Sequence, residues 1–205
     1  MKRNSSVEDL VLGVSANNED ELSYSCVNLP SVKYEFYLDE DIRSPRYYRG
    51  LVDVLLNVAT PADVIVLNIN SDGGNLDSAV AIIEALKRTQ AETVAVITGR
   101  CCSAASLIAL SCRNIDVGEF AVLMVHEVTF GAGGSTKDVK GQGEFEHRMI
   151  EKLYKSVYKH FLTEKEIEDV LDNRTIWMDS EEILERLEQM NEMITLGVDK
   201  EVKYS

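Results

Sequence analysis

Proline is scarce in this sequence, three residues in 205, which excludes a collagen-like repeat and a proline-rich linker. Basic residues are outnumbered: 21 Lys and Arg stand against 35 Asp and Glu, for a formal net charge of −14. A surface that grips phosphates needs net positive patches, so nucleic acid and anionic membranes are both disfavoured as partners. No run approaches the roughly 18 apolar residues that a spanning helix needs. The N-terminus (Met1 to Leu10, MKRNSSVEDL) has no apolar segment behind its two basic residues, so no secretory signal is expected. Cysteine is sparse and unpaired in pattern. Cys26, Cys101, Cys102 and Cys112 make no CxxC pair, and adjacent cysteines cannot bridge each other without strain. They read as small buried apolar residues of a cytoplasmic protein.

Several reactive motifs are missing too. There is no GxxxxGK[ST] phosphate cradle, and Gly131 to Gly143 lacks GxGxxG spacing. His126-Glu127 has no second His at the zincin spacing, and GxSxG does not occur. His147 and His160, 13 residues apart, suit a solvated or interfacial face better than a metal site. Neither a metal nor any other cofactor is expected.

What is present is alternation. At 45 % apolar residues the chain can bury one sizeable core. Residues 1–33 are polar and acidic and read as an N-terminal arm; 34–205 read as one domain. Tyr34–Leu38 is a strand, and Pro45–Val58 a helix with Tyr48, Leu51, Val54 and Leu55 on one face. Val64–Ile69 is a β-branched run typical of a strand buried on both faces. The next helix carries the stripe Leu76, Ala79, Val80, Ile83 and Leu86. Thr93–Ile97 and Phe120–Val125 are further strands, the first ending at Gly99-Arg100 ahead of a small apolar helix over Ser103–Cys112. A long helix is expected over Lys137–Phe161, with Phe145, Met149, Leu153, Val157 and Phe161 four apart. Thr163–Glu166 and Asp179–Glu182 have the pattern of helix starts. The expected class is α/β with a mainly parallel sheet.

In such sheets chemistry collects beyond the carboxyl ends of the strands. One end delivers Gly73 and Gly74, whose N–H groups a carbonyl can approach closely; the next delivers Ser103 at a helix start; the third delivers His126. A hydroxyl, an imidazole and two sources of N–H are the parts for acyl transfer. A serine there also serves as a plain cap, and Gly-Gly as a plain turn, so the pattern alone leaves both readings open. Ser106 is the one rival nucleophile, placed inside the helix.

Three segments, Ile69-Asn70-Ser71-Asp72-Gly73-Gly74, Gly99-Arg100-Cys101-Cys102-Ser103-Ala104 and Met124-Val125-His126-Glu127, resemble in order and spacing the Clp peptidase family and its viral relatives. Trp177-Met178-Asp179-Ser180-Glu181-Glu182 continues the likeness, which runs from about Tyr34 to Glu182. The resemblance implies a spiral β-α-β fold of crotonase type, a protruding helix-strand handle at about 128–161 and a C-terminal helix. It implies a self-compartmentalising serine endopeptidase of stacked rings, acting on extended polypeptide, with an AAA+ unfoldase or a viral assembly as partner. Carried over by position, Ser103 is the nucleophile, His126 the base, and the N–H groups of Gly74 and Ala104 the oxyanion hole. Phe130, Gly131, Gly133 and Gly134 would pair with the peptide as an added strand, and Arg174 would pair between rings.

The departures are informative. The family's third catalytic Asp sits two positions before the aromatic that here is Trp177, and Thr175 occupies that place; the nearest upstream carboxylate is Asp172. A non-standard triad is expected, with Thr175 or Asp172 in third position. Asp72 and Val128 replace two family prolines. Two alternatives remain from the residues: a structural ring subunit whose triad has decayed, and a crotonase-like acyl-CoA enzyme.

Overall fold

The computed structural model describes residues 31–129, 131 and 133–196. The expected N-terminal arm, save its last few residues, and Phe130 lie outside the described residues. Six strands form one sheet: β1 (Lys33–Leu38), β2 (Val64–Ser71), β3 (Glu92–Cys102), β4 (Asn114–Val117), β5 (Val122–Val125) and β6 (Ile176–Asp179). Their order is β1-β2-β3-β5-β6, with β4 beside the first half of β3 and β5 beside its end. Every pairing is parallel except β5 with β6. The chain is therefore α/β with a mainly parallel sheet, as the alternation of elements predicts.

β2 is the most buried strand. Ile65, Leu67 and Ile69 are sealed on one face and Val66 is nearly so on the other, which is why its sequence runs apolar without alternating. Helix α2 (Leu76–Arg88) starts at Asn75, whose side chain accepts from the Ser78 N–H, and buries Ala79, Ile82, Ile83 and Leu86. Val80, placed on the buried stripe by sequence, is exposed, because 100° per residue carries it off the line through 79, 82, 83 and 86. Helix α3 (Ala104–Ala109) is wholly buried against β2 and β3.

Pro45–Val58 is helical but not uniform. A 3₁₀ turn (Pro45–Tyr48) leads into α1 (Arg49–Asp53) and then a widened π turn (Val54–Val58), closed by the Ala59 N–H on the Val54 carbonyl at 2.9 Å. β3 also runs on through Gly99 and Arg100 to Cys102, rather than stopping at Gly99-Arg100, because β5 continues the pairing after β4 ends. β4 and β6 were invisible to periodicity. Each has four residues, too few for a pattern, and gains its structure from pairing with β3 and β5.

Helix α4 (Thr136–Val157) opens on a reciprocal cap between Ser135 and Asp138 and ends four residues short of Phe161. It buries only Ile150, Tyr154 and Val157; Phe145 and Met149, on its first half, are about half exposed. His160 lies beyond its end at φ 65°, not on it. Helices α5 (Glu164–Leu171) and α6 (Ser180–Thr195) follow, tied by Arg186, which bonds both Glu166 oxygens and the Phe161 carbonyl.

Candidate active site

Parallel pairing brings the ends of β2, β3 and β5 to one edge of the sheet. Ser71 pairs with Cys101 and Cys102 with Met124, so the residues that follow, Asp72–Gly74, Ser103 and His126, emerge side by side. The Ser103 N–H donates to the Met124 carbonyl at 2.8 Å, which anchors the serine to the strand that carries His126. The Ser103 Oγ lies 2.8 Å from His126 Nε2.

Ser103 is a helix N-cap by position but not by chemistry. Its side chain makes no capping bond, and its backbone sits at φ 54°, ψ −123°, a conformation that ordinary side chains avoid. The strand-to-helix corner thus thrusts the hydroxyl outward, the arrangement that sharp nucleophile turns use in α/β-hydrolases. Ser106 has no such freedom. It is fully buried, donates to the Ser103 carbonyl at 2.7 Å and meets the Tyr158 hydroxyl at 2.8 Å.

Two N–H groups face the same space. The Gly73 carbonyl accepts from the Ile42 N–H at 2.7 Å, and a trans peptide then turns the Gly74 N–H the opposite way, toward the cleft. The Ser103 carbonyl accepts from the Ser106 and Leu107 N–H groups, which turns the Ala104 N–H outward by the same geometry. Neither N–H has an acceptor among the described residues. Both glycines are needed for this approach. A Cβ on Gly73 would lie 2.7 Å from the Ser103 Cβ, and one on Gly74 2.5 Å from the Ile42 carbonyl oxygen. Because α3 has only six residues, these are individual donors and not the end of a long helix dipole.

The cleft holds about 230 Å³ and is walled by Leu76, Leu107, Val128 and Thr129, with Asp72 at its rim. Asp72 is ion-paired with Arg100, whose guanidinium lies 5.4 Å over the Trp177 ring. A larger open groove of about 760 Å³ lies elsewhere, between Cys112–Ile115 and the second half of α6. Its thiol is held protonated, burial pushing Cys112 up to about 12, and Arg113 is spent on the Thr89 and Ala91 carbonyls. Burial also raises the Cys101 and Cys102 thiols, so Cys102, although next to Ser103, stays protonated.

The third position is open. The antiparallel register that pairs Val125 with Ile176 sets Thr175 opposite His126 when extended by one residue. Thr175 and Asp172 are both exposed, and among the described residues neither hydrogen-bonds the imidazole. Asp172 ends α5, and Arg174 pairs with Asp169 of its own chain at 2.8 Å. Gly131 and Gly133 stand in open space, and Gly134, at φ 124°, turns the chain into α4. Among the described residues there is no cluster of His, Cys, Asp and Glu that could hold a metal ion, and no helix long and apolar enough to cross a membrane. No motif in the sequence marks Tyr154. Its hydroxyl donates to the His126 carbonyl at 2.5 Å, a contact across 28 residues that no motif announces.

The family model described as Clp protease matches residues 46–186. The chain is 32 % identical over 99 residues to the ATP-dependent Clp protease proteolytic subunit 3 of Rhodococcus jostii (strain RHA1), an alignment covering 47 % of this chain and 48 % of that protein. The chain thus spans about half the length of the curated relative it matches. With the family pattern extending over more than half of its residues, on a mainly parallel sheet, this chain belongs to the Clp protease family.

Proposed function

We propose that this chain is a serine endopeptidase in which Ser103 is the nucleophile and His126 the general base. The observation that carries the reading is the 2.8 Å contact between Ser103 Oγ and His126 Nε2, made by a serine held at φ 54° and excused from capping its helix. Attack of Oγ on a peptide carbonyl transfers its proton to Nε2 and forms a tetrahedral oxyanion bonded to Oγ, which becomes the acyl-enzyme ester only when the C–N bond breaks. The oxyanion lies against the Gly74 and Ala104 N–H groups, which have no other acceptor among the described residues. As the centre collapses, the imidazolium gives its proton to the departing amine; water then enters by the same base and frees the acid.

The substrate is extended polypeptide, laid beside the segment around Gly131–Gly134 as an added strand. The protein works as a closed assembly of stacked rings in the cytoplasm, and the half-exposed Phe145 and Met149 of α4 belong to the contact between copies. Residues 34–205 form the peptidase domain with residues 128–161 as its handle, and Arg174 contributes to pairing between rings. An AAA+ unfoldase or a viral assembly is the partner class that the family implies.

Thr175 is the reading's distinctive feature. Its hydroxyl can orient the imidazole but cannot supply the negative charge that stabilises imidazolium, a loss that costs about 10⁴-fold when a triad Asp becomes Asn. That observation also favours the second reading, a structural ring subunit of low or no activity. Turnover of casein or of a short fluorogenic peptide by the purified protein separates them. Activity that vanishes in Ser103→Ala supports the peptidase; equal hydrolysis by wild type and variant removes Ser103 from the chemistry.

A further inference from the structure

Two tyrosines at the end of α4 hold the backbone of the Ser–His pair from below. The Tyr154 hydroxyl donates to the His126 carbonyl at 2.5 Å. Tyr158, fully buried, lies with its hydroxyl 2.8 Å from Ser106 Oγ, which in turn is 2.7 Å from the Ser103 carbonyl. A carbonyl can only accept, and Ser106 has one hydroxyl proton, so the order is fixed: Tyr158 donates to Ser106, and Ser106 donates to Ser103. The two rings pack edge to face, 5.1 Å apart at 82°, so neither moves alone. Burial raises both phenols well above their usual range, which keeps them protonated donors.

We infer that Tyr154 and Tyr158 are positioning residues for peptide-bond cleavage, holding the base and aiming the Ala104 oxyanion donor. The inference rests on the serine-peptidase reading above. The Ser103 carbonyl and the Ala104 N–H share one planar trans peptide, so whatever fixes the first direction fixes the second. That carbonyl already accepts from the Ser106 and Leu107 N–H groups, at 3.0 and 3.3 Å. The Tyr158–Ser106 chain is therefore not needed to satisfy it; it adds a third donor that resists rotation of the plane. Tyr154 does the corresponding work at His126, whose ring direction follows the backbone just after β5. Tyr154 lies in the last turn of α4 and Tyr158 caps it, so a shift of the end of α4 moves base and oxyanion donor together.

The test uses the full-length protein with three variants, Tyr154→Phe, Tyr158→Phe and Ser106→Ala. Four quantities are read: kcat and KM for a fluorogenic peptide, affinity for a peptide boronic acid that mimics the tetrahedral centre, and melting temperature. A misaimed group costs on the order of 10²-fold when displaced by about 1 Å, so each variant should lose roughly 10- to 100-fold in kcat. KM should stay within about two-fold, because the tethers act on the transition state and not on peptide binding. Tyr158→Phe and Ser106→Ala should also weaken the boronic acid by a matching factor, whereas a purely structural role would lower melting and leave kcat and boronic acid affinity alone. Should Tyr158→Phe not fold, Ser106→Ala cuts the same chain and decides the matter. Wild-type kcat and boronic acid affinity in folded variants overturn the inference while the peptidase stands. A wild-type protein that neither turns over peptide nor binds the boronic acid overturns both, and Ser103→Ala run alongside tells the two failures apart.

Discussion

At φ 54° and ψ −123°, Ser103 occupies backbone space that costs about 1–3 kcal/mol, and it does so without the compensation of a capping bond. Such strain persists only where the surroundings over-determine it. Here the Met124 carbonyl, the Ser106 and Leu107 N–H groups and the Ser106 hydroxyl all grip the same residue. Across the sheet, Thr175 stands opposite His126 by register, and among the described residues no carboxylate hydrogen-bonds the imidazole. Thr175→Asp is accordingly expected to raise kcat by at least about 10-fold, since an absent triad charge costs up to about 10⁴. Because Thr175 is exposed, melting should change little. Steady-state peptide turnover checks it, and an unchanged or lower kcat would place the missing charge elsewhere. The convergence of Ser103, His126, Gly74 and Ala104 on one edge of the sheet is legible in the sequence because short motifs at strand ends carry them. Tyr154, Tyr158 and Ser106 are not, since their bonds end on backbone carbonyls, which have no residue type to read.

At the scale of elements, the glycine turn after β2 is fitted against the start of α3. A Cβ at Gly73 would meet the Cys102 carbonyl oxygen and the Ser103 Cβ, both at 2.7 Å, on a residue whose φ is 102°. Gly73→Ala should therefore cost about 2–4 kcal/mol, from overpacking and backbone strain together. Melting should fall by roughly 5–15 °C, and kcat should fall with it as Ser103 is pushed aside. Calorimetry with peptide turnover reads both, and a variant of wild-type stability would show that this turn relaxes to accept a side chain at no cost. The α5–α6 junction makes a different prediction. Arg186 and the Thr163 cap hold the Glu166 carboxyl at about 2, below its ordinary 4.5. A carboxylate with a depressed folded value adds stability above its unfolded value, and that stability fades as pH falls from about 4.5 toward 2. Solvent screening of this partly exposed pair reduces what is at stake to on the order of 1–2 kcal/mol, so Glu166→Gln should be less stable at neutral pH and lose less on acidification. Parallel acid titration curves for the two proteins would contradict this. The strands β2 and β3 and the helices with capping boxes could be read from sequence because each carries its own periodic or capping signal. β4 and β6 could not, because a four-residue strand is specified by its partner and not by itself.

For the whole molecule, the question is what covers α4. Its last turns are sealed into the core, while Phe145 and Met149 on its first half face outward. Exposed residues of this size on a helix whose other end supports the candidate site fit a contact between copies of the chain. Phe145→Glu with Met149→Glu should shift the protein to a smaller species in analytical ultracentrifugation while leaving the far-ultraviolet circular dichroism of the fold in place. An unchanged sedimentation profile would move the interface off this helix. The central claim is tested most directly by treating the protein with a fluorophosphonate and locating the adduct by mass spectrometry. A single adduct on Ser103, absent in Ser103→Ala and much slower to form in His126→Ala, is the expected result. No adduct on the wild-type protein, or one that persists undiminished when Ser103 is replaced, would contradict it.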